Sequence, residues 1–90
     1  MEQSINDFAE RMQYKLDLNK DKDCDIMNPD GAGRGWKHCN THWLLARARE
    51  ELKELEEALE SGCAKDIQNE CADVGNFVMM IFDVTGPQPF

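Results

Sequence analysis

Nowhere in the 90 residues is there a run approaching the roughly 18 apolar residues that a membrane-crossing helix requires. A helical membrane protein is therefore not expected. The four cysteines, Cys24, Cys39, Cys63 and Cys71, never fall at Cys-x-x-Cys spacing, and no signal-peptide pattern precedes them. They are expected to be reduced thiols in a cytoplasmic protein, with Cys71 a small core residue. Positive charge is scarce too: Lys and Arg number 10 against 18 Asp and Glu, for a net charge of −8. No basic face is available for a nucleic-acid polymer or an anionic membrane, so neither is an expected partner. A phosphate substrate carried by a metal ion remains compatible. Internal repeats and long strand-like alternation are also missing, which leaves an all-α fold.

A chain this short buries only about 60 to 65% of its unfolded surface. Its own core must be thin. Association with a second copy is the economical way to cover its apolar stripes, so a four-helix-type bundle completed by homo-oligomerisation is expected.

Apolar residues recur at helical spacing in three stretches of what reads as a single domain, 1–90. The first covers about 4–19, with Ser4 a suitable N-cap and Ile5, Phe8, Ala9, Met12 and Leu16 on one stripe. From Leu18 to Asn40 the periodicity gives way to Asp, Lys, Asn and Gly, with Pro29, Gly31, Gly33 and Gly35. This is a loop over about 20–39, long enough to suggest a functional role. The second helix spans about 41–61, with Asn40 or Thr41 as cap and Gly62 as the left-handed terminator. A third spans about 64–84 and stops before Gly86-Pro87, leaving a short tail, 85–90. Because so few residues join helices two and three, they form an antiparallel hairpin.

Two pairs of carboxylates stand out on that hairpin: Glu51 with Glu54, and Glu70 with Asp73. Residues three apart on a helix share a face and can point at one ion. On a helical wheel the apolar arc of the third helix holds Ile67, Cys71, Val74, Phe77, Val78 and Ile81, with Glu70 in its middle and Asp73 on its border. That of the second holds Leu44, Leu45, Ala48, Leu52, Leu55 and Leu59, with Glu51 at the edge and Glu54 further round. Lys53, Glu56 and Glu60 point away. Glu70 is thus expected to be the inward-facing acid, and Glu51 and Glu54 rim acids across the hairpin. Carboxylates buried together cannot stay ionised unaided, because desolvation and like charge both raise their pKa. Oxygen-only ligands suit Mg²⁺, or Mn²⁺, better than zinc. The plainer alternative is a solvated charge run.

Other patterns carry less. Asp17, Asn19, Asp21, Asp23 and Asp25 alternate like a calcium loop but lack its central Gly and terminal Glu. His38, Cys39 and His42 have no fourth zinc ligand at the usual spacing. A di-iron bundle needs Glu-x-x-His pairs, and neither His lies in one. Gly31-Ala32-Gly33-Arg34-Gly35 follows no strand and precedes no Gly-Lys-Thr, so it is not a phosphate cradle. The loop is better suited to closing over a substrate, with Arg34 and Lys37 directed at phosphate and Trp36 stacking on a base. Trp36 serves equally well packed onto the hairpin. Trp43, in the first turn of helix two, is expected in the core or an interface.

Glu50-Glu51-x-x-Glu54, fifteen intervening residues, then Glu70-x-x-Asp73 resembles the signature of the MazG-like, all-α nucleoside triphosphate pyrophosphohydrolases. The likeness extends to Gly35-Trp36, to Trp43-Leu44-Leu45 and to the runs around the acids, over roughly residues 4 to 84, and is nearest the short single-domain branch. It implies hydrolysis of a nucleoside triphosphate, ribo or deoxy, to monophosphate and pyrophosphate, with nucleotide-pool house-cleaning as the role such an activity would serve. It also implies Mg²⁺ held by Glu51, Glu54, Glu70 and Asp73, with Glu50 orienting a water or a second ion. Asn76, one turn after Asp73, becomes a candidate contact to sugar or phosphate. Assembly as a homodimer or a dimer of dimers is implied as well. Phosphoribosyl-ATP pyrophosphohydrolases share part of the acid pattern, and a non-catalytic nucleotide-binding or assembly module of the same fold is the alternative from another class.

Overall fold

The computed structural model describes residues 1–18 and 35–90. It is helical: α1, Gln3–Leu18; a short 3-10 turn, Gly35–His38; α2, Thr41–Ser61; and α3, Ala64–Thr85. No strand occurs among the described residues. None of the helices is long and apolar enough to cross a membrane.

Local chemistry explains the ends of α2. Asn40 is extended (φ −66, ψ 135), and its side chain accepts the His42 amide at 2.7 Å, so it satisfies a first-turn donor that the helix itself cannot. At the other end Gly62 adopts φ 76 and donates its N–H to the Ala58 carbonyl, a conformation that a Cβ would strain. Cys63 then starts α3 at once, which makes the hairpin antiparallel as expected. The start of α1 is different from the expectation. Its first amides, from Ile5 and Asn6, donate to the Glu2 carbonyl, so Ser4 lies inside the helix and does not cap it.

α3 is the central element, packed on α2 along one side and α1 along another. Contact with α1 is close at Gly75, where a Cβ would stand 2.6 Å from the Phe8 ring and 3.2 Å from the Met12 sulfur. Asn76 ties the same crossing by donating to the Met12 carbonyl at 3.0 Å. The core is small, as the chain length requires: Leu44, Ala48, Phe77 and Met80 from the hairpin, joined by Trp36 and Cys39 from beside the 3-10 turn.

The faces differ from those on the wheel. Buried positions on α2 are Leu44, Ala48, Glu51 and Ala58, while Leu45, Leu52 and Leu59 remain 40%, 51% and 58% exposed. On α3 they are Ala72, Asn76, Phe77 and Met80, and Val78 faces out. Leu44, Ala48 and Phe77 are buried as the wheel expects, and the small Ala58 and Ala72 are buried with them. Trp43 is also 40% exposed and lies outside this core.

Candidate metal centre

The hairpin brings both acid pairs together. One carboxylate oxygen from each of Glu51, Glu70 and Asp73 lies within 4.8 Å of the other two. Opposite ligands of an ion bound at 2.0 to 2.6 Å stand about 4 to 5 Å apart, so the cluster already has the size of a hard-cation site. Glu54 reaches Glu51 and Glu70 from the exposed rim.

The depth of the acids reverses the expectation from the wheel. Glu51, placed on the rim by its sequence position, is only 8% exposed, whereas Glu70 is half-buried. Glu51 lies three residues beyond Ala48 and seven beyond Leu44, on the same buried face of α2. One oxygen of Glu51 and one of Glu70 are buried with no hydrogen-bond partner among the described residues. Such groups cost free energy unless something meets them.

Electrostatics follow from that burial. Desolvation, then the hydrogen bond and charge of Glu54, and then the contacts with Glu70 and Asp73, push the Glu51 carboxyl up to about 8. Glu70 is raised as well, first by burial, with the charges of Glu54 and Asp73 adding to it and its hydrogen bond with Glu51 opposing. Both carboxyls thus resist ionisation where they stand. A divalent ion would supply the missing positive charge and satisfy both orphaned oxygens, so the residues present fit an oxygen-ligated hard cation.

Two cations border the acids, and the helical patterns did not single out either. From α1, Lys15 places its ammonium 3.5 Å from Asp73 Oδ2, with both side chains largely buried. From α2, Arg47 pairs with Glu50 and lies 3.5 Å from Glu51 Oε1, its guanidinium 5.0 Å above the Phe77 ring. The signal for Arg47 was its i, i+3 and i, i+4 spacing to Glu50 and Glu51. Lys15 had no such signal, because its partner is 58 positions away.

The other candidate residues lie elsewhere. Glu50 is on the outer side, as expected, held there by Arg47. Trp36 is packed in the core, its indole N–H donating to Asp83 Oδ2 at 3.0 Å, so the packing role is the one adopted and the ring is not presented to a base. Lys37 donates to the same oxygen at 2.8 Å. Asp83 is ten residues beyond Asp73, about 15 Å along the helix, so neither Trp36 nor Lys37 joins the acids. Asn76 is buried and its side-chain N–H donates to the Met12 carbonyl of α1, while its Oδ1 is buried with no hydrogen-bond partner among the described residues. Asp17 sits in α1 and accepts from Gln13, as part of a helix and not of a calcium loop. Arg34, Asn19, Asp21, Asp23 and Asp25 lie outside the described residues.

Compared with known protein families, with curated proteins and with solved structures, the chain matches none. The site must be interpreted from its own chemistry.

Proposed function

We propose that the protein is a Mg²⁺-dependent nucleoside triphosphate pyrophosphohydrolase of the MazG-like kind. The observation that carries this is the pair of buried, partnerless carboxylate oxygens on Glu51 and Glu70, within 4.8 Å of an Asp73 oxygen. A fold gains nothing in stability from acids arranged so; a cation ligand explains them.

In this proposal Glu51, Glu70 and Asp73 would hold the ion, with the exposed Glu54 beside them at the rim. Mg²⁺ or Mn²⁺, when bound, supplies positive charge against the phosphates. Glu54, exposed and touching both Glu51 and Glu70, takes the proton of the attacking water as its oxygen bonds to the α-phosphorus. The bond from that phosphorus to the α,β-bridging oxygen breaks, and pyrophosphate leaves with the electron pair. Glu50, paired with Arg47, orients the outer side of the centre.

The exposed stripe Leu45, Leu52 and Leu59, with Trp43 nearby, supports assembly with further copies, as a dimer or a dimer of dimers in the cytoplasm. Incubation with Mg²⁺ and a panel of ribo- and deoxynucleoside triphosphates, together with phosphoribosyl-ATP, is expected to release pyrophosphate and monophosphate. Release of orthophosphate, or turnover indifferent to a chelator, would overturn the assignment.

A further inference from the structure

The acids have competitors for a cation. Lys15 comes from α1 and Arg47 from α2, so two separate elements bring positive groups to two of the three carboxylates, Asp73 and Glu51. Their placement is asymmetric. Lys15 is near one oxygen of Asp73, and Arg47 near Oε1 of Glu51, whereas the orphaned oxygens are Oε2 of Glu51 and Oε2 of Glu70. The cations therefore stand against the outside of the cluster and leave its inner oxygens unmet.

Neither pairing is tight. Both are 3.5 Å, longer than the roughly 2.7 to 2.9 Å of a charge-assisted hydrogen bond. Both side chains are nevertheless held in place. The Lys15 side chain is 16% exposed, and Arg47 is stacked on the buried Phe77 ring. Both cations stay close to the cluster acids without a short bond to them, and Arg47 is anchored at the rim by its pair with Glu50.

Resting on the metal-centre reading above, we propose that Lys15 and Arg47 are positioning cations that compete with a divalent ion for Asp73 and Glu51 and, once displaced, turn to the phosphates of the substrate. A divalent ion held by Glu51, Glu70 and Asp73 would carry the same charge sign as Lys15 and Arg47 and would weaken their hold on the cluster. A triphosphate bound there brings about four negative charges, more than one divalent ion neutralises, and two displaced cations at the border can supply the difference.

The two roles give effects of opposite sign, which a merely structural salt bridge would not. Lys15→Met and Arg47→Met keep the apolar stems and remove the charges. Mn²⁺ binding to the substrate-free protein, read by electron paramagnetic resonance at pH 8.5, is expected to tighten about threefold or more in each variant. Binding of an α,β-methylene triphosphate in saturating Mn²⁺ is expected to weaken about tenfold. Lys65→Met, which removes the same charge from an exposed position, should change neither. Arg47→Lys and Lys15→Arg should restore most of the triphosphate affinity and remain informative if a methionine variant fails to fold. Mn²⁺ affinity unchanged or weakened in the charge-removed variants, or unchanged triphosphate affinity, overturns the proposal while leaving the metal centre intact. Wild-type protein that binds no Mn²⁺ overturns both.

Discussion

The α2–α3 hairpin carries carboxylates at two places, and their surroundings are opposite. Near the turn, Glu51, Glu70 and Asp73 crowd within 4.8 Å, with Glu51 buried and its carboxyl pushed up to about 8. Near the end of α3, Asp83 sits in the open and receives Lys37 and the Trp36 indole, and these hydrogen bonds hold its carboxyl below the usual range. The second arrangement is matched and anchors a turn. The first has more negative charge and more buried oxygen than its neighbours satisfy, so folding works against it.

Breaking the first arrangement should have the largest effect. Glu51→Gln is expected to reduce pyrophosphate release by about a thousandfold, a loss of roughly 4 kcal/mol in transition-state stabilisation. The same change should raise the melting temperature of the metal-free protein, because it removes a buried carboxyl that resists ionisation. Loss of activity together with loss of stability would argue for a structural acid instead. Breaking the second arrangement at its apolar part comes next. Trp36→Ala empties a core position and should cost about 3 kcal/mol or more in chemical denaturation, with little change in Mn²⁺ affinity.

The pH dependence sharpens the contrast, since the two places respond in opposite directions. Glu51 has a folded pKa above its unfolded value of 4.5, so the unfolded chain gives up its proton first as pH rises. Metal-free stability is therefore expected to fall between about pH 4.5 and 8, by a few kcal/mol, and to level off above. Glu51→Gln should flatten that slope, and Mg²⁺ should stabilise the protein more at pH 8.5 than at pH 6. The smallest effect belongs to Asp83. Its pKa is lowered, so its contribution is present above the unfolded value and is lost as pH falls through the folded one. Asp83→Asn should lower the melting temperature slightly at neutral pH and not at all in strong acid.

Much of this layout was legible in the chain itself. Helix periodicity, Asn40 and Gly62 set the bounds of α2, and the short connection made the hairpin antiparallel, so the two acid pairs had to meet. The order of burial was not legible. A wheel weighted by hydrophobicity centres on the leucines, while the buried face of α2 runs through Leu44, Ala48, Glu51 and Ala58. Leu45, Leu52 and Leu59 lie off that face, and Glu51 lies on it. The fates of Trp36 and Asn76 were hidden for a related reason, because Asp83 and the Met12 carbonyl, which claim them, belong to other elements.

By itself, then, the sequence determined three helices, the ends of α2, the hairpin and the four acids on it. These follow from interactions a few residues apart, which periodicity and capping preferences record directly. Only the tertiary structure decided that Glu51 is the deepest acid, that Asp83 is the matched one, and that Lys15 and Arg47 border the centre. Those outcomes depend on how the helices rotate against one another and on contacts as distant as Lys15 to Asp73, where no local pattern reaches.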